Sequence, residues 1–471
     1  MKRTIAIILA ALLLLPIAAC AGGTEPAPTA VPDQNGDVSA SGEPPLATPD
    51  PARAFDPETD FDNRFASQFN RIVETEDAYY LKGDCTDFLF YYDKVTGDSG
   101  ILCPRPDCLH VPPEPMSGVT DCGGFIGTER GSLTYYKGRL YWAKYYRPEM
   151  DICVFSMALD GSDRELIGKL AISPEEYQPQ QFWIHRGYVY FYSEANKVVN
   201  GAPTCRLAIV RQPLEGGEKQ VIFEEQSYVD GEWTLRFIGD DVYILAGYDG
   251  ADGSVFEHGE PEVPEDYLVL QEHSVILRWN PDMAEPEVLL DEESPDQPAP
   301  DNFYVEPDGT VWFVRQRPED PSTHWGDDGY RLIDHLCRRD PDGTVTELFD
   351  SVIDGEYYYM RNIYDGGMIM IRGLDTKPGT VVMCIVDLEG SVIYKGDLPT
   401  AFAEKAPIGS DGTPDFMFIG CERDGFFVSA TLDYPLDRKN PQRQYFLRYD
   451  ITDDGLAETV ICECVTMINL E

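Results

Sequence analysis

Residues 133–170 have the sequence LTYYKGRLYWAKYYRPEMDICVFSMALDGSDRELIGKL, and this stretch decides the fold. Short apolar and aromatic runs alternate in it with two turn signals, Lys137-Gly138 and Asp160-Gly161. Each turn signal joins two runs as a β-hairpin, so the stretch predicts four short strands. A four-stranded sheet of this kind buries its faces only against further copies of itself, so we expect more copies of the unit in the rest of the chain.

The same unit recurs to the end of the chain. Its most regular part is the second hairpin arm, an aromatic or apolar run that follows a polar turn. This run occurs at residues 78–81, 140–142, 188–192, 242–245, 311–314, 368–371 and 426–428. Seven copies with four strands each predict an all-β fold, a seven-bladed β-propeller with four antiparallel strands per blade. Six or eight blades stay open as alternatives, because insertions blur the fourth and fifth copies.

The composition is that of a globular, very acidic protein. Hydrophobic residues make up 43% of the chain and charged residues 25%, as in ordinary globular domains. The net charge is −46, from 37 Lys and Arg against 83 Asp and Glu. A chain this acidic repels phosphate backbones, so we expect no nucleic-acid partner.

The N-terminus predicts export. Lys2-Arg3 is followed by the apolar run 5–15 and then by Ile17-Ala18-Ala19-Cys20, which is the pattern of a signal peptide over residues 1–20. Residues 21–58 are rich in Pro, Gly, Ala, Ser and Thr and lack apolar periodicity, which predicts a disordered, acidic tether. The propeller domain is then expected over residues 59–471.

Three cysteines and a histidine form the strongest local signal. Cys103, Cys108, His110 and Cys122 lie within twenty residues, in a segment that separates the first two predicted blades. Three thiols and one imidazole could complete a tetrahedral zinc site. A disulfide, such as Cys103–Cys108 or Cys108–Cys122, fits an exported protein equally well. Reduced thiols are the third alternative, and the sequence leaves the choice open.

Other cysteines and two tryptophans have simpler interpretations. Cys153, Cys337 and Cys384 stand at even offsets before the glycine of a turn, which predicts buried positions on one strand face. Trp233, and Trp325 beside His324, lie outside clear strand runs and near carboxylates. These three residues could form a ligand platform on which a sugar or peptide stacks, and the alternative is that each Trp caps the edge of a blade.

No catalytic motif is present in the sequence. It contains no Gly-x-Ser-x-Gly elbow, no Gly-x-Gly-x-x-Gly run after a strand, no phosphate loop and no His-Glu-x-x-His pair. We therefore assign no catalytic residue and no organic cofactor, and the only metal expectation is the zinc alternative above.

Several of these features together resemble a known group of proteins. The segment 17–20 resembles the bacterial lipobox, which implies cleavage before Cys20 and acylation of its thiol. With the acidic tether, the Leu102-Cys103-x4-Cys108-x-His110 element and the Tyr-rich hairpins, it resembles uncharacterised TolB-like β-propeller lipoproteins of anaerobic Gram-positive bacteria. The hairpin 308–313 is similar to the blade hairpins of extracellular sensor propellers, but it lacks the leading Ser of a sialidase-type Asp box. The resemblance implies the fold and an outer-face location, and no catalytic residues.

The sequence thus predicts a lipid-anchored protein on the outer face of the cytoplasmic membrane. Its propeller is expected to bind an extracellular glycan, peptide or protein without catalysis. One alternative is a propeller-based glycoside hydrolase or lyase, which needs two carboxyl groups converging at the channel mouth. The other is an assembly scaffold at the membrane surface, which needs a large exposed apolar patch.

Overall fold

The architecture is a seven-bladed β-propeller built from antiparallel sheets in a ring, as the repeat predicts. The structure is a computed structural model. It describes residues 53–65, 71–83, 86–111, 122–127, 132–146, 151–173, 176, 181–199, 202–227, 233–248, 272–294, 302–323, 330–372, 380–402, 414–432 and 443–465.

Each blade is formed by consecutive strands. Blades 1 to 3 contain β1 (Ile72–Glu74), β2 (Ala78–Lys82), β3 (Leu89–Asp93), β4 (Ser99–Ile101), β5 (Leu133–Tyr136), β6 (Arg139–Tyr146), β7 (Asp151–Ala158), β8 (Glu165–Lys169), β9 (Phe182–His185), β10 (Tyr188–Val199), β11 (Ala202–Pro213) and β12 (Gln220–Ser227). Blades 4 and 5 contain β13 (Trp233–Ile238), β14 (Asp241–Tyr248), β15 (Glu272–Trp279), β16 (Glu287–Ser294), β17 (Phe303–Val305), β18 (Val311–Pro318), β19 (Leu332–Arg339) and β20 (Val345–Asp350). Blades 6 and 7 contain β21 (Val352–Ile353), β22 (Glu356–Tyr364), β23 (Gly367–Arg372), β24 (Val382–Val386), β25 (Val392–Asp397), β26 (Pro414–Glu422), β27 (Gly425–Leu432), β28 (Arg443–Thr452) and β29 (Gly455–Val465).

The hairpin signals of the sequence mark real turns. The seven runs predicted as second hairpin arms all lie in the second of the four main strands of a blade. At the first turns of blades 2 and 3, both central residues have positive φ: Lys137 (47°), Gly138 (74°), Arg186 (46°) and Gly187 (83°). Two consecutive left-handed residues are typical of the tight turn that suits the twist of a hairpin. Blade 6 departs slightly from the repeat, because the two-residue strand β21 pairs with β22 in front of its four main strands.

The blades pack face to face through buried apolar side chains. The predicted burial of Cys153, Cys337 and Cys384 is confirmed, since each lies in the third main strand of its blade and is at most 2% exposed. A cysteine there fills space as a small apolar side chain.

The ring closes by packing, since no described sheet contains strands from both blade 1 and blade 7. Phe427 and Phe446 of blade 7 pack in one cluster with Leu81 and Phe88 of blade 1. The ring of Phe427 meets that of Tyr79 edge-on, with centroids 5.4 Å apart. Apolar contact therefore replaces the shared strand pairing that would otherwise join the two ends of the ring.

The two ends of the ring carry different connections. The first strands of neighbouring blades contact one another, so they are the innermost strands. Tight turns join the first strand of a blade to the second, and the third to the fourth, at what we call the turn end. The second strand of a blade ends, and the third begins, at the opposite or loop end, as do the last strand of one blade and the first of the next. The longest segments between strands follow strand ends of this kind: 102–132, 249–271, 319–331 and 398–413. Within the described residues, no helix is long and apolar enough to cross a membrane.

Candidate functional site

Residues 53–65, here called the strap, extend over the turn end. The predicted tether included residues 53–58, and this is wrong for that part, because these residues are hydrogen-bonded to the blades. Residues 21–52, with the predicted signal peptide and Cys20, lie outside the described residues. The strap ends in a single 3₁₀ turn, Asn63–Phe65, and its contacts follow a path from blades 4 and 5 to blade 2, then blades 3 and 4, then blades 7 and 1.

The strap binds the first turns of blades 2 and 3. Its carbonyl groups at Glu58 and Thr59 accept the N–H groups of Lys137 and Arg186, each at 2.8 Å. The Asp60 carboxylate accepts Nε of Arg186 at 2.7 Å and Nη2 at 3.1 Å. Asp60 is 6% exposed, so this paired geometry is mostly shielded from water. The contacts also hold Arg186 in its left-handed conformation, which a residue with a Cβ adopts rarely.

The strap binds blades 4 and 5 through two further side chains. Arg53 donates to Asp241 at 2.8 Å, to the Tyr243 hydroxyl at 3.1 Å and to the carbonyl of Pro307 at 2.7 Å. The Asn63 amide pairs with the backbone of Phe237 in both directions, at 2.7 and 3.0 Å. Both contacts therefore tie the strap to the end of the ring where these two blades make their first turns.

The end of the strap lies over the seam between blades 7 and 1. Nη1 of Arg64 lies 2.7 Å from Glu422 of blade 7 and 2.9 Å from Glu74 of blade 1. Phe65 is 3% exposed and meets the ring of Phe427 edge-on at 5.5 Å. A Cβ at Gly420 would lie 2.5 Å from the Phe65 ring, so glycine is required there for the two to approach. The strap thus joins the last blade to the first, at the seam where the ring closes.

Together these contacts cover the turn end of the ring. The strap reaches blades 1, 2, 3, 4, 5 and 7, and a cavity of about 650 Å³ lies between it and blades 1 and 2. Carboxylates and aromatic rings line this cavity, among them Glu58, Asp77, Tyr80 and Tyr135. The strap therefore obstructs part of the turn end.

A buried histidine connects the strap to blades 3 and 4. His185 is 1% exposed; its Nδ1 accepts the N–H of Phe61 at 3.1 Å, and its Nε2 lies 2.7 Å from the carbonyl oxygen of Gly239. This pattern assigns the neutral ring with the proton on Nε2. Burial lowers the pKa of His185 to about 4, although the Asp60 carboxylate opposes the shift. The strap is therefore bound by an uncharged imidazole.

This geometry predicts acid destabilisation. His185 has an ordinary pKa of 6.5 when the chain is unfolded, so its contribution is complete above about pH 6.5 and is lost as pH falls toward about 4. The slope should reach about 1.4 kcal/mol per pH unit. Asp60, Arg186 and Asp240 are the charged groups facing it. Urea unfolding between pH 7.5 and 5 should show that His185→Gln removes this part of the pH dependence, whereas His273→Gln, on a half-buried strand position, should retain it. Equal pH dependence in both variants would contradict the assignment.

At the loop end, the innermost strand of blade 6 exposes an aromatic ring beside a cation. Along β22 the buried Tyr358 and Met360 alternate with Tyr359, which is 49% exposed, and with Arg361, which is also exposed. The Arg361 guanidinium lies 5.7 Å from the centroid of the Tyr359 ring. Because β22 is an innermost strand and Tyr359 pairs with Ile371 near the end of β23, this pair lies beside the channel toward its loop end.

Within the described residues, two carboxyl groups have pKa values raised above the ordinary range, and they do not lie together as the pair of the hydrolase alternative would. They belong to Glu306 and Asp334, and burial is the main cause for both. Glu306 lies in the first turn of blade 5, where it accepts Nε1 of Trp312 at 2.8 Å. Asp334 lies near the start of β19 and accepts the N–H of Met360 at 2.7 Å. The two are therefore at opposite ends of one blade.

The four residues predicted as metal ligands or disulfide partners do meet. The ligand atoms of Cys103, Cys108, His110 and Cys122 all lie within 4.8 Å of one another. The Sγ atoms of Cys103 and Cys122 are 3.9 Å apart, and Nδ1 of His110 is 3.4 Å from Sγ of Cys122. A disulfide requires an S–S distance of about 2.05 Å. The cluster is therefore a set of adjacent side chains without an S–S bond.

The protonation preferences of the two sulfurs differ. Burial raises the pKa of the Cys122 thiol to about 12. Burial also opposes ionisation of Cys103, but hydrogen bonds to the backbone of Arg105 and Gly123 lower the pKa of its thiol overall. Ionised sulfur is the form that binds metals.

The other predicted site residues are placed as follows. Trp233 opens the strand β13 and is 8% exposed, with its ring 5.7 Å from that of Phe223. The expectation that Trp233 lies outside a strand is therefore wrong, and a buried indole offers little ring surface to a sugar. His324 and Trp325 lie outside the described residues, so their part in a ligand platform stays a prediction.

Sequence reasoning missed the strap, and it missed Tyr359 and Arg361. Residues 357–361 are Tyr-Tyr-Tyr-Met-Arg, so no alternation of apolar and polar residues marks the exposed side of this strand. Which side of that strand is exposed depends on its innermost place in the ring, and the sequence does not show this.

No protein-family model and no curated protein matches the chain. Among solved structures, the chain is similar to an ulvan lyase of polysaccharide lyase family PL25, with 11% identity, a TM-score of 0.47, and 85% of this chain and 96% of that chain covered. It is similar to an oligogalacturonate lyase from Vibrio parahaemolyticus, with 12% identity, a TM-score of 0.45, and 84% and 92% covered. It is also similar to TolB from Acinetobacter baumannii, with 12% identity, a TM-score of 0.32, and 83% and 78% covered. At these values the likeness assigns neither a site nor an activity to this chain.

Proposed function

We propose that the chain is a surface lipoprotein, anchored through Cys20 to the outer face of the cytoplasmic membrane, whose propeller binds an extracellular glycan, peptide or protein without catalysis. The anchor is supported by the sequence at residues 1–20, and the exclusion of nucleic acid by the net charge of −46. The binding role is supported by the difference between the two ends of the ring, one crossed by the strap and the other followed by long connecting segments.

The observation that carries the proposal is the strap across the turn end. The strap occupies the turn end by hydrogen bonds and ion pairs to six blades, as described above. The long connecting segments leave from the loop end, and such segments on a rigid scaffold commonly carry specificity. A ligand would therefore bind at the loop end, over the mouth of the channel.

Tyr359 and Arg361 are the described residues best placed to contact such a ligand. An exposed phenol ring stacks on a sugar or a peptide side chain, while a guanidinium pairs with a carboxylate or sulfate group. The pair lies on the innermost strand β22, where the buried residues Tyr358 and Met360 flank Tyr359 and Arg361 follows Met360. Oligosaccharides and peptides that offer Tyr359 a stacking surface are accordingly the first ligands to test, and the net charge of −46 disfavours polyanionic ones.

The experiment is a binding screen of the full chain in detergent against glycan, cell-wall-fragment and peptide arrays, followed by titration of any ligand found. Tyr359→Ala should weaken binding about tenfold or more, equivalent to about 1.4 kcal/mol. Tyr394→Ala is the matched control, because Tyr394 lies on the outermost strand β25 of the same blade and should leave affinity unchanged. Equal affinity of wild type and Tyr359→Ala would place the ligand elsewhere, and absence of any ligand would contradict the binding role.

Two rival functions make different predictions. A hydrolase or lyase would release new chain ends from a polysaccharide, which the same glycan set can reveal after long incubation. A scaffold needs one large apolar patch. The exposed large apolar residues instead include single or paired positions on the outermost strands of successive blades: Leu166, Val221, Val288, Val345, Leu348, Val392, Ile393 and Val460. This distribution around the rim favours a role for the ring's end over one for its edge.

A further inference from the structure

Two distances within the cluster of Cys103, Cys108, His110 and Cys122 match those of a zinc site, and all four ligand atoms lie within 4.8 Å of one another. Tetrahedral zinc, with Zn–S distances of about 2.3 Å and Zn–N distances of about 2.0–2.1 Å, places two sulfurs about 3.8 Å apart and a sulfur and a nitrogen about 3.6 Å apart. The structure gives 3.9 Å between Sγ of Cys103 and Sγ of Cys122. It gives 3.4 Å between Nδ1 of His110 and Sγ of Cys122. Both distances fit ligands around one ion.

The local backbone is shaped to bring distant ligands together. A Cβ at Gly123 would lie 2.7 Å from Pro104, and a Cβ at Gly124 would lie 2.6 Å from Ile101 and 2.7 Å from the Leu102 carbonyl oxygen. Glycines therefore let the backbone after Cys122 pack directly on the segment that carries Cys103. The N–H of Leu89 donates to the Gly124 carbonyl at 2.8 Å, which fixes this segment to the third strand of blade 1.

The other two ligands are positioned by a turn and a left-handed residue. The N–H of Cys108 donates to the Arg105 carbonyl at 3.2 Å. His110 has φ of 52°, a conformation that is uncommon for residues other than glycine and often marks a functional site. The ring of His110 also meets that of Phe88 edge-on at 6.4 Å. Each of the four side chains is thus held by its own local contacts.

We propose that Cys103, Cys108, His110 and Cys122 bind one structural Zn²⁺. Three thiolates with one imidazole suit zinc better than magnesium or calcium, which prefer oxygen ligands. Four protein ligands fill a tetrahedral shell and leave no open position for a substrate, so the ion has a structural role. This inference is independent of the proposed ligand binding.

The position of the site in the ring indicates which parts of the fold the ion would hold together. Cys103 and Cys108 pack against the cluster that contains Phe446 and Cys462 of blade 7, where the ring closes without a shared sheet. On the other side, Gly123 and Pro104 pack against Gly161 of blade 2. The ion therefore fixes the segment after β4 between its two neighbouring blades. Removing the ion should loosen the closure of the ring.

The test is the metal content of the full chain, purified in detergent. We expect about one zinc per chain by mass spectrometry, and a chelator at raised temperature should remove the ion and lower the melting temperature. Cys122→Ser and His110→Ala should each lower the zinc content by more than half. Cys384→Ala, at a buried cysteine of blade 6, is the matched control and should retain the ion.

Exchange of cobalt into the wild-type chain tests the proposal even if these variants do not fold. Co²⁺ exchanged into the wild-type chain should give the intense visible absorption of a tetrahedral thiolate site. A chain without zinc that shows no such absorption would overturn the proposal. A non-reducing peptide map with a disulfide among Cys103, Cys108 and Cys122 would also overturn it.

Discussion

Phe65→Ala should lower the free energy of unfolding by about 3–5 kcal/mol, the usual effect of truncating a buried phenylalanine. Phe65 is 3% exposed and packs on Phe427 at the seam between blades 7 and 1. The cavity left behind would not fill easily, because Gly420 on the other side has no side chain. Urea unfolding followed by tryptophan fluorescence measures the change.

The control for this substitution lies in the same strap. Phe55 is 54% exposed, so Phe55→Ala should change the free energy of unfolding by less than about 0.5 kcal/mol. If both substitutions had the same small effect, Phe65 would not be part of the packed seam.

Asp60→Asn is the second substitution with a large expected effect, a loss of about 2–3 kcal/mol. It removes the charge that pairs with Arg186 through two hydrogen bonds, and it turns an amide group toward a guanidinium. Breaking a fully buried pair by changing one partner costs about 3–5 kcal/mol. The lower value is expected here because the Arg186 side chain is 27% exposed and is partly solvated.

Asp62→Asn is the matched control for Asp60→Asn. Asp62 pairs with Arg64 at 2.6 Å, but the two side chains are 25% and 39% exposed. Ion pairs of this kind contribute about 0–1 kcal/mol. Equal losses in the two variants would mean that Asp60 is no more important than an ordinary surface charge.

The hairpins were predictable because their signals are local. A Lys137-Gly138 turn between two aromatic runs specifies its own geometry within a few residues. Seven such units bury the apolar faces of all their sheets when they form a ring in which each sheet packs on the next. The blade count was predictable for the same reason, although the segment 249–271 obscures one copy.

The strap was not predictable because its contacts are distant in sequence. Arg53 meets Asp241, and Arg64 meets Glu422, so nothing near either arginine marks its partner. The residues around Pro57 have the polar, Pro-containing composition of the tether that precedes them. Composition indicates only how much apolar surface a segment can bury by itself. The strap is ordered instead by its contacts with the blades.

The cysteine cluster was predictable only in part, unlike the hairpins and the strap. The spacing of Cys103, Cys108 and His110 showed which side chains could share an ion. It could not decide between metal and disulfide, because that choice depends on how Gly123 and Gly124 return the chain to Cys103. Trp233 was wrongly placed outside a strand, because no clear apolar run in the sequence marks the first strand of blade 4.

The account depends most on the claim that the strap closes the turn end, and hydrogen exchange of the full chain tests it most directly. Peptides covering residues 53–65 and the first turns of blades 2 and 3 should be protected as strongly as the innermost strands, because Lys137 and Arg186 donate their N–H groups to the strap. Asp60→Asn should speed exchange in the strap and at these turns together. Complete exchange of residues 53–65 at the shortest labelling time in the wild-type chain would contradict the account, since the strap would then not be bound across the turn end.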